Sequence, residues 1–269
     1  MIRKVKSLRP SGTIFPAGHF YSPYPDLKDI ENRRDTIFDR SNREVPGIDL
    51  REEDQVALVE RIATQYYDEF PYHSSAANEN RFRLDNGAFS YCDAVMLYAM
   101  LRILKPDRVI EIGSGNSSAL MLDINEEFLG SKVKLTFIEP YPRLLESLMT
   151  VEDQGIATLV DKPLHAVGME VFGTLESGDL LFVDSTHVSK AGSDVNEIFF
   201  EILPSLKSGT YIHIHDVFSR SSIRRSGSGK PVAGMRITWS GRFSRTIRTM
   251  RLSSSIIFWD STTNLRLRG

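Results

Sequence analysis

The chain has 269 residues, of which 41% are hydrophobic and 25% charged, and its formal net charge is −2. This composition predicts a globular protein large enough for one domain and an accessory region. It excludes a membrane-spanning helix, since no apolar run reaches the ~18 residues that a span needs, and an internal disulfide, since Cys92 is the only cysteine. The basic N-terminus lacks the apolar stretch of a secretory signal, so we expect a cytoplasmic protein without a membrane partner.

Charge is distributed unevenly along the chain. Residues 219–269 contain ten Arg and one Lys against a single acid, Asp260, whereas residues 1–218 contain 22 basic and 34 acidic residues. The same C-terminal segment holds 11 Ser and 5 Thr and none of the six His. Such a break marks a domain boundary or an interaction tail, so residues 219–269 are treated as a separate basic, Ser/Arg-rich segment.

Two helices are predicted ahead of the sheet, after an irregular arm that is rich in Pro and aromatic residues. Asp49 and Glu52 have the spacing of a capping box, and apolar residues at helical spacing follow them. A second amphipathic run covers residues 93–104. We therefore predict an N-terminal arm and helical cap over residues 1–90, and a second domain over residues 91–218.

From Arg108 onward, short apolar runs alternate with helical segments. The apolar runs are RVIEIG, VKLTFIE, ATLVD, DLLFVD and GTYIHIHD. This alternation predicts an α/β fold, a Rossmann-like sheet of parallel strands with helices on both faces. Ligands bind such sheets at the carboxyl ends of the strands, and functional residues are therefore expected there.

The first strand ends in EIGSGNSS, where Gly113 and Gly115 follow Glu111. Glycines allow a tight turn and a close approach of a ligand to the main chain, and the amides at the start of the next helix favour an anionic group. A dinucleotide fingerprint would need a third glycine where Ser118 stands, which disfavours a nicotinamide-dependent oxidoreductase. Glu139, at the end of the second strand, can bind both hydroxyls of a ribose; the alternative is a solvated loop acid.

These motifs, with the block FVDSTHVSKAGSDVN and the strand YIHIHDVF, resemble the class I S-adenosylmethionine (SAM)-dependent methyltransferases. The greatest similarity is to the bacterial group called methyltransferase family 24, over residues 18–218. The resemblance implies that SAM is the cofactor. It implies that the SAM loop is formed by Glu111, Gly113, Gly115 and Ser117. It also implies that Glu139 binds the ribose of SAM and that Asp161 lies beside the adenine.

Three further polar residues are expected to converge at the ends of the fourth and fifth strands, namely Asp184, His215 and Asp216. We interpret them as the catalytic group, with His215 as a general base near neutral pH that one aspartate orients. Asp184 and Asp216 are alternatively candidates for Mg²⁺, because catechol O-methyltransferase-like enzymes look similar here. Imidazole is a poor ligand for Mg²⁺, so His215 weakens that alternative. A buried structural histidine is the third interpretation, and for His213 it is the favoured one.

The methyltransferase pattern stops after Phe218. A basic tail is typical of a nucleic-acid-binding arm, but we favour a shifted reading frame, which leaves the closing C-terminal strands of the fold lost or aberrant. When the third base of each codon is read with the first two of the next, residues 219–227 permit the peptide PFEYPKEW. Members of the family commonly continue with an acidic, aromatic run of this kind.

Resequencing the gene tests the shifted frame. We expect the nucleotides 3′ of the Phe218 codon to encode PFEYPKEW in the shifted frame, because the observed residues largely determine the second and third bases of each shifted codon. A nucleotide sequence that excludes this peptide would contradict the hypothesis.

The expected function is methyl transfer from SAM to a hydroxyl or amine of a small molecule, for example a sugar or another natural product. Two alternatives stay open: a SAM-binding protein made inactive by its altered C-terminus, and a methyltransferase that binds RNA through the basic tail. Nucleic acid is nevertheless not the partner that we expect, and the oligomeric state is not predicted.

Overall fold

The computed structural model of the protein describes residues 15–16, 18–19, 22, 25–37, 51–72, 80–89 and 91–216, and the backbone of two strands at 250–253 and 256–259. The chain divides into two compact units. One comprises Met1–Arg43 and Phe218–Thr238, and the other comprises Glu44–Val217 and Trp239–Gly269.

The first unit has two short described helices, α1 (Leu27–Asn32) and α2 (Arg34–Ile37). Asp26 caps α1, because its side chain accepts hydrogen bonds from the amides of Lys28 and Asp29. In the described part of the chain, no helix is long and apolar enough to cross a membrane.

The second unit begins with two helices that confirm the predicted N-terminal helices, α3 (Glu52–Gln65) and α4 (Cys92–Leu104). The expected cap Asp49 lies outside the described residues, and α3 buries Ile62 but leaves Val56 57% exposed. Helix α4 is buried along most of its length, which explains why its sequence is apolar on nearly every side.

Seven strands form the sheet in the described part of the chain: β1 (Arg108–Ile112), β2 (Lys134–Ile138), β3 (Ala157–Val160), β4 (Leu180–Val183), β5 (Tyr211–Ile214), β6 (Met250–Ser253) and β7 (Ile256–Trp259). Their order across the sheet is β3-β2-β1-β4-β5-β7-β6. The first five strands are parallel, so the predicted Rossmann-like sheet is confirmed. β4 is buried at every position, as a strand covered on both faces must be.

The crossovers between these strands carry the remaining described helices: α5 (Asn116–Phe128), α6 (Arg143–Leu148), α7 (Met169–Phe172), α8 (Asp194–Glu197) and α9 (Leu203–Ser205). A π-helical turn over Ile198–Ile202 joins α8 to α9, so the segment predicted as one helix contains an irregular turn. The core contains the buried side chains of α4 and α5 together with those of the central strands.

The closing strands are present, so the expectation that they are lost is wrong, while the expectation that they are aberrant stays a prediction. β7 pairs antiparallel with β5, through His213 with Phe258 and Ile214 with Ile257, and β6 pairs with β7. A sheet edge presents unpaired main-chain groups, and a run of β-branched and aromatic residues such as IIFW favours a strand. The shifted-frame peptide falls within residues 217–249, outside the described residues, and stays a prediction.

Arg81 joins the segment before α4 to the helices that flank the sheet. Its guanidinium lies 2.8 Å from a carboxylate oxygen of Asp123 on α5 and 2.8 Å from one of Asp153. The arginine side chain is 12% exposed and the two acids 2% and 3%. Asp123 also accepts a 2.8 Å hydrogen bond from the amide of Phe82. The network therefore holds residues 81–82 against the sheet domain.

Replacement of Arg81 by Met should lower the free energy of unfolding by roughly 3–5 kcal/mol, because it leaves two buried carboxylates without their cation. Denaturant unfolding measures this change. Arg83→Met is the matched control, since Arg83 is exposed in the same segment, and equal losses for the two variants would contradict the assignment.

Candidate active site

The carboxyl ends of four neighbouring strands lie side by side. Ile112 pairs with Ile138 of β2 and with Val183 of β4, and Val183 pairs in turn with Ile214 of β5. Because paired residues are level with one another in a parallel sheet, the residues that follow them form one row across the strand ends. The members of this row are Gly113, Glu139, Asp184 and His215.

The end of the neighbouring strand β4 leaves room only for a glycine at position 113. Its φ is +85°, and a Cβ atom added there would lie 1.9 Å from the main-chain oxygen of Asp184. No side chain fits in that space, so the turn after β1 lies directly against the end of β4. A Cβ added at Gly115 would meet only a methyl group of Leu144 at 3.5 Å. The protein itself therefore constrains Gly113 far more than Gly115.

Glu111 points into the protein and is 0% exposed. Its two carboxyl oxygens are hydrogen-bonded to the hydroxyls of Ser117 and Ser118 at the start of α5. The Ser118 hydroxyl also accepts a 2.9 Å hydrogen bond from the amide of Gly115. Glu111 and Ser117 were predicted to belong to the cofactor loop. In the structure both side chains are buried and hydrogen-bonded to each other, which stabilises the loop, and their part in cofactor binding stays a prediction.

Burial raises the pKa of Glu111 to about 8, although the two serine hydrogen bonds oppose the shift. A group whose pKa is raised on folding stabilises the protein fully below its unfolded pKa, near 4.5, and this contribution is lost as the pH rises through about 8.

Glu139 lies beside the glycine turn. One of its carboxylate oxygens accepts a 3.1 Å hydrogen bond from the amide of Ser114, and the other accepts a 2.8 Å bond from the amide of Tyr141. The half-buried carboxylate is thereby fixed at the end of β2. Asp161 is exposed after β3, and no hydrogen bond joins it to the glycine turn in the described residues.

His215 is held between two carboxylates. Its Nδ1 atom lies 3.2 Å from Oδ1 of Asp184, and its Nε2 atom lies 3.6 Å from Oδ2 of Asp93 on α4. Oδ1 of Asp184 is also 3.3 Å from Nε2 of His187. The ring of Phe89 packs 5.1 Å from the His215 ring. The structure thus brings together Asp184 and His215, as predicted, with two partners that were not predicted as site residues.

These contacts set the charges of the group. Burial lowers the pKa of His215, but its interactions with Asp184 and Asp93 outweigh burial and raise the pKa to about 10. Burial raises the pKa of Asp184, but hydrogen bonds from His187 and His215 outweigh it and hold that pKa well below its usual value. The raised pKa favours the imidazolium form of His215 at neutral pH, and this form donates hydrogen bonds. The general-base role assigned to His215 from the sequence requires the neutral ring and stays a prediction.

Asp216 and His213 flank this histidine in the sequence. Asp216 is half-buried with a φ of 58°, and its negative charge also raises the pKa of His215. His213 is 1% exposed and packs against Phe182 at 4.4 Å between ring centroids. Burial keeps its pKa well below the usual value, so a neutral histidine in the core accounts for this position.

The side chains at the strand ends do not fit Mg²⁺. The described cluster that could surround a cation consists of Asp184, His187 and His215, with ligand atoms within 4.8 Å of one another. Mg²⁺ requires oxygen ligands in octahedral geometry, whereas two of these three donors are imidazoles. Asp216, the other predicted ligand, is not part of the cluster.

His187 and Asp93 were not predicted as site residues, and the sequence indicates the first of them more clearly than the second. His187 lies in the DSTH motif after β4, so its proximity to Asp184 could have been predicted. Asp93 precedes the whole sheet in the chain, and only its position at the start of a predicted helix marks it. Its contact with His215 depends on the packing of the folded chain and is not indicated by sequence spacing.

Glu111→Gln should remove a pH dependence of stability. The free energy of unfolding of the wild type, relative to that of the variant, should fall as the pH rises from about 4.5 to 8. Over this range Glu111 ionises in the unfolded chain but stays protonated in the folded protein, whereas glutamine is neutral in both states. Denaturant unfolding of both proteins across this range gives the difference. Glu152→Gln, which removes a charge from an exposed position, is the control; a constant difference for Glu111→Gln would contradict the expectation.

Comparison with known proteins identifies relatives of the chain. A family described as a methyltransferase domain matches residues 110–217. An uncharacterized protein of Archaeoglobus fulgidus is 37% identical over 190 residues, which cover 65% of this chain and 84% of that protein.

Two solved structures are similar at lower identity. An S-adenosylhomocysteine-bound methyltransferase of Podospora anserina is 19% identical, with a TM-score of 0.37, over 79% of this chain and 76% of that one. An O-methyltransferase of Streptomyces achromogenes involved in tomaymycin synthesis, in complex with SAM, is 16% identical, with a TM-score of 0.36. The match covers 70% of this chain and 71% of that one.

Proposed function

This chain belongs to the class I SAM-dependent methyltransferases, and on that premise we propose that it methylates a hydroxyl group of a small molecule. The observation that carries the proposal is the charged pair of Asp184 and His215 at the strand ends. An imidazolium beside an acceptor oxygen stabilises the negative charge that develops as the hydroxyl loses its proton. A neutral amine acceptor would gain nothing comparable, which favours a hydroxyl over an amine.

The cofactor is assigned to the end of the sheet that carries the glycine turn. Glu139 is proposed to bind the ribose hydroxyls, because its carboxylate is already oriented by two main-chain amides. The hydroxyl of Ser114 is buried and has no hydrogen-bond partner among the described residues, which supports a polar ligand beside it. Gly113 lets the turn lie against the end of β4, and Gly115 keeps the main chain accessible to the cofactor. Asp161 is proposed to lie near the adenine.

Catalysis is proposed to depend on position and charge. SAM, when bound, would supply the methyl group to the acceptor oxygen, and the residues that align the two reactants would supply most of the rate. His215, oriented by Asp184, is proposed to hydrogen-bond the acceptor oxygen. Asp216 adds negative charge that keeps His215 protonated. No step is assigned to Mg²⁺, because the donor set does not fit that ion.

Calorimetry tests the cofactor site. Glu139→Ala should weaken SAM binding by about 10- to 150-fold, because hydrogen bonds to a charged group contribute ~1.5–3 kcal/mol. Glu152→Ala, at an exposed position, should bind SAM as the wild type does. Unchanged affinity in Glu139→Ala would remove the ribose assignment.

The same preparations test the reaction. S-adenosylhomocysteine release from SAM is measured with catechol, 3,4-dihydroxybenzoate, methyl glucoside, phenethylamine and a structured RNA. Transfer to a hydroxyl compound is expected, and EDTA should not abolish it. SAM binding without transfer to any compound would identify an inactive binding protein, whereas transfer to RNA alone would identify the RNA-directed alternative.

A further inference from the structure

The proposed reaction needs a base that takes up the proton of the hydroxyl group. The two carboxylates beside His215 favour its protonated form, and Asp184 already faces two imidazoles through one oxygen, at 3.2 Å and 3.3 Å. The remaining carboxylate in contact with His215 is that of Asp93, on the opposite side of the ring.

The Nε2 atom of His215 is buried and makes no hydrogen bond to a described residue, and the His215 side chain is 6% exposed. A buried polar atom without a partner points to a polar group of a ligand. Asp93 Oδ2 lies 3.6 Å away, beyond hydrogen-bond distance. Because Nε2 of His215 and Oδ2 of Asp93 are 3.6 Å apart, a single oxygen atom can lie about 2.8 Å from both of them. One hydroxyl group can therefore accept a hydrogen bond from Nε2 and donate one to Asp93.

Asp93 is placed for this role by the fold. It lies in the first turn of α4, a helix of 13 residues, where the helix dipole favours a negative charge. Its side chain is 24% exposed, so an acceptor can reach the carboxylate and a proton can leave it for solvent. The turn before α4 also holds Phe89 against His215, because Asn86 accepts a 2.7 Å hydrogen bond from the Phe89 amide.

We propose that Asp93 is the general base of the methyl transfer and that the acceptor hydroxyl binds between its carboxylate and Nε2 of His215. The assignment rests on the proposed function. In the reaction, the hydroxyl proton passes to Asp93 while the oxygen forms a bond to the methyl carbon. The bond between this carbon and sulfur breaks, and the sulfonium of SAM becomes the neutral thioether of S-adenosylhomocysteine. Asp93 then releases the proton to solvent.

Asp93→Asn tests the proposal by keeping the size of the side chain while removing the base. With the hydroxyl compound that the wild type methylates fastest, kcat should fall by about 10²- to 10⁴-fold, the usual contribution of a general base. The acceptor KM, the SAM affinity and the melting temperature should change little. Asp85→Asn, which removes the same charge from an exposed position in the preceding loop, should leave kcat unchanged.

Chemical rescue separates a base from a merely structural acid. Formate added to Asp93→Ala should restore part of the lost kcat, because a small carboxylate can occupy the vacated position, and it should not affect the Asp85→Ala variant. This readout also applies if Asp93→Asn proves unstable.

The outcomes are distinguishable. If Asp93→Asn keeps kcat within about threefold of the wild type, or if it raises only the acceptor KM, Asp93 is not the base while the proposed function stands. Loss of kcat in Asp93→Ala without rescue by formate also counts against the proposal. If the wild type binds SAM and methylates none of the hydroxyl compounds, the proposed function fails and the role of Asp93 fails with it.

Discussion

The register between β1, β4 and β5 is the constraint on which the site depends. The pairs Ile112–Val183 and Val183–Ile214 bring the glycine turn, Asp184 and His215 to one level at the end of the sheet. Gly113 allows this closeness, since any side chain there would collide with the main chain of Asp184. A shift of one residue would turn each of these groups to the other face of the sheet. The chemistry of the site is therefore a consequence of main-chain pairing.

Buried charge is the second organising feature of the molecule, and it is balanced locally. Glu111 is surrounded by two serine hydroxyls, His215 by two carboxylates, and Arg81 by Asp123 and Asp153. An unpaired charge in the interior would cost several kcal/mol. Each group therefore depends on partners from other elements. Glu111 keeps the glycine loop in shape, whereas the charges around His215 define the proposed position of the acceptor hydroxyl.

Much of the site could be predicted because its residues are attached to strand ends. Alternation of apolar runs and helices predicts a parallel sheet, and a parallel sheet collects its strand ends at one edge. Asp184 and His215 were found in this way. The hydrogen bonds of Glu111 and the raised pKa of His215 could not be predicted, because a side-chain direction and a pKa depend on neighbours that the local sequence does not name. The run IIFW favours a strand by its composition, but its pairing with β5 was not predicted, because a sheet edge can recruit a strand from a distant part of the chain.

The sequence by itself determined the order of the elements, the positions of the strand ends and the family, because hydrophobic periodicity and glycine placement are local properties of the chain. Only the tertiary structure decided which charges meet. Asp93 reaches His215 because α4 packs beside the end of β5, and no spacing along the chain records that contact. The protonation of His215, and with it the division of roles between the histidine and the two carboxylates, follows from that packing: a buried imidazole between two anions is more stable charged than neutral.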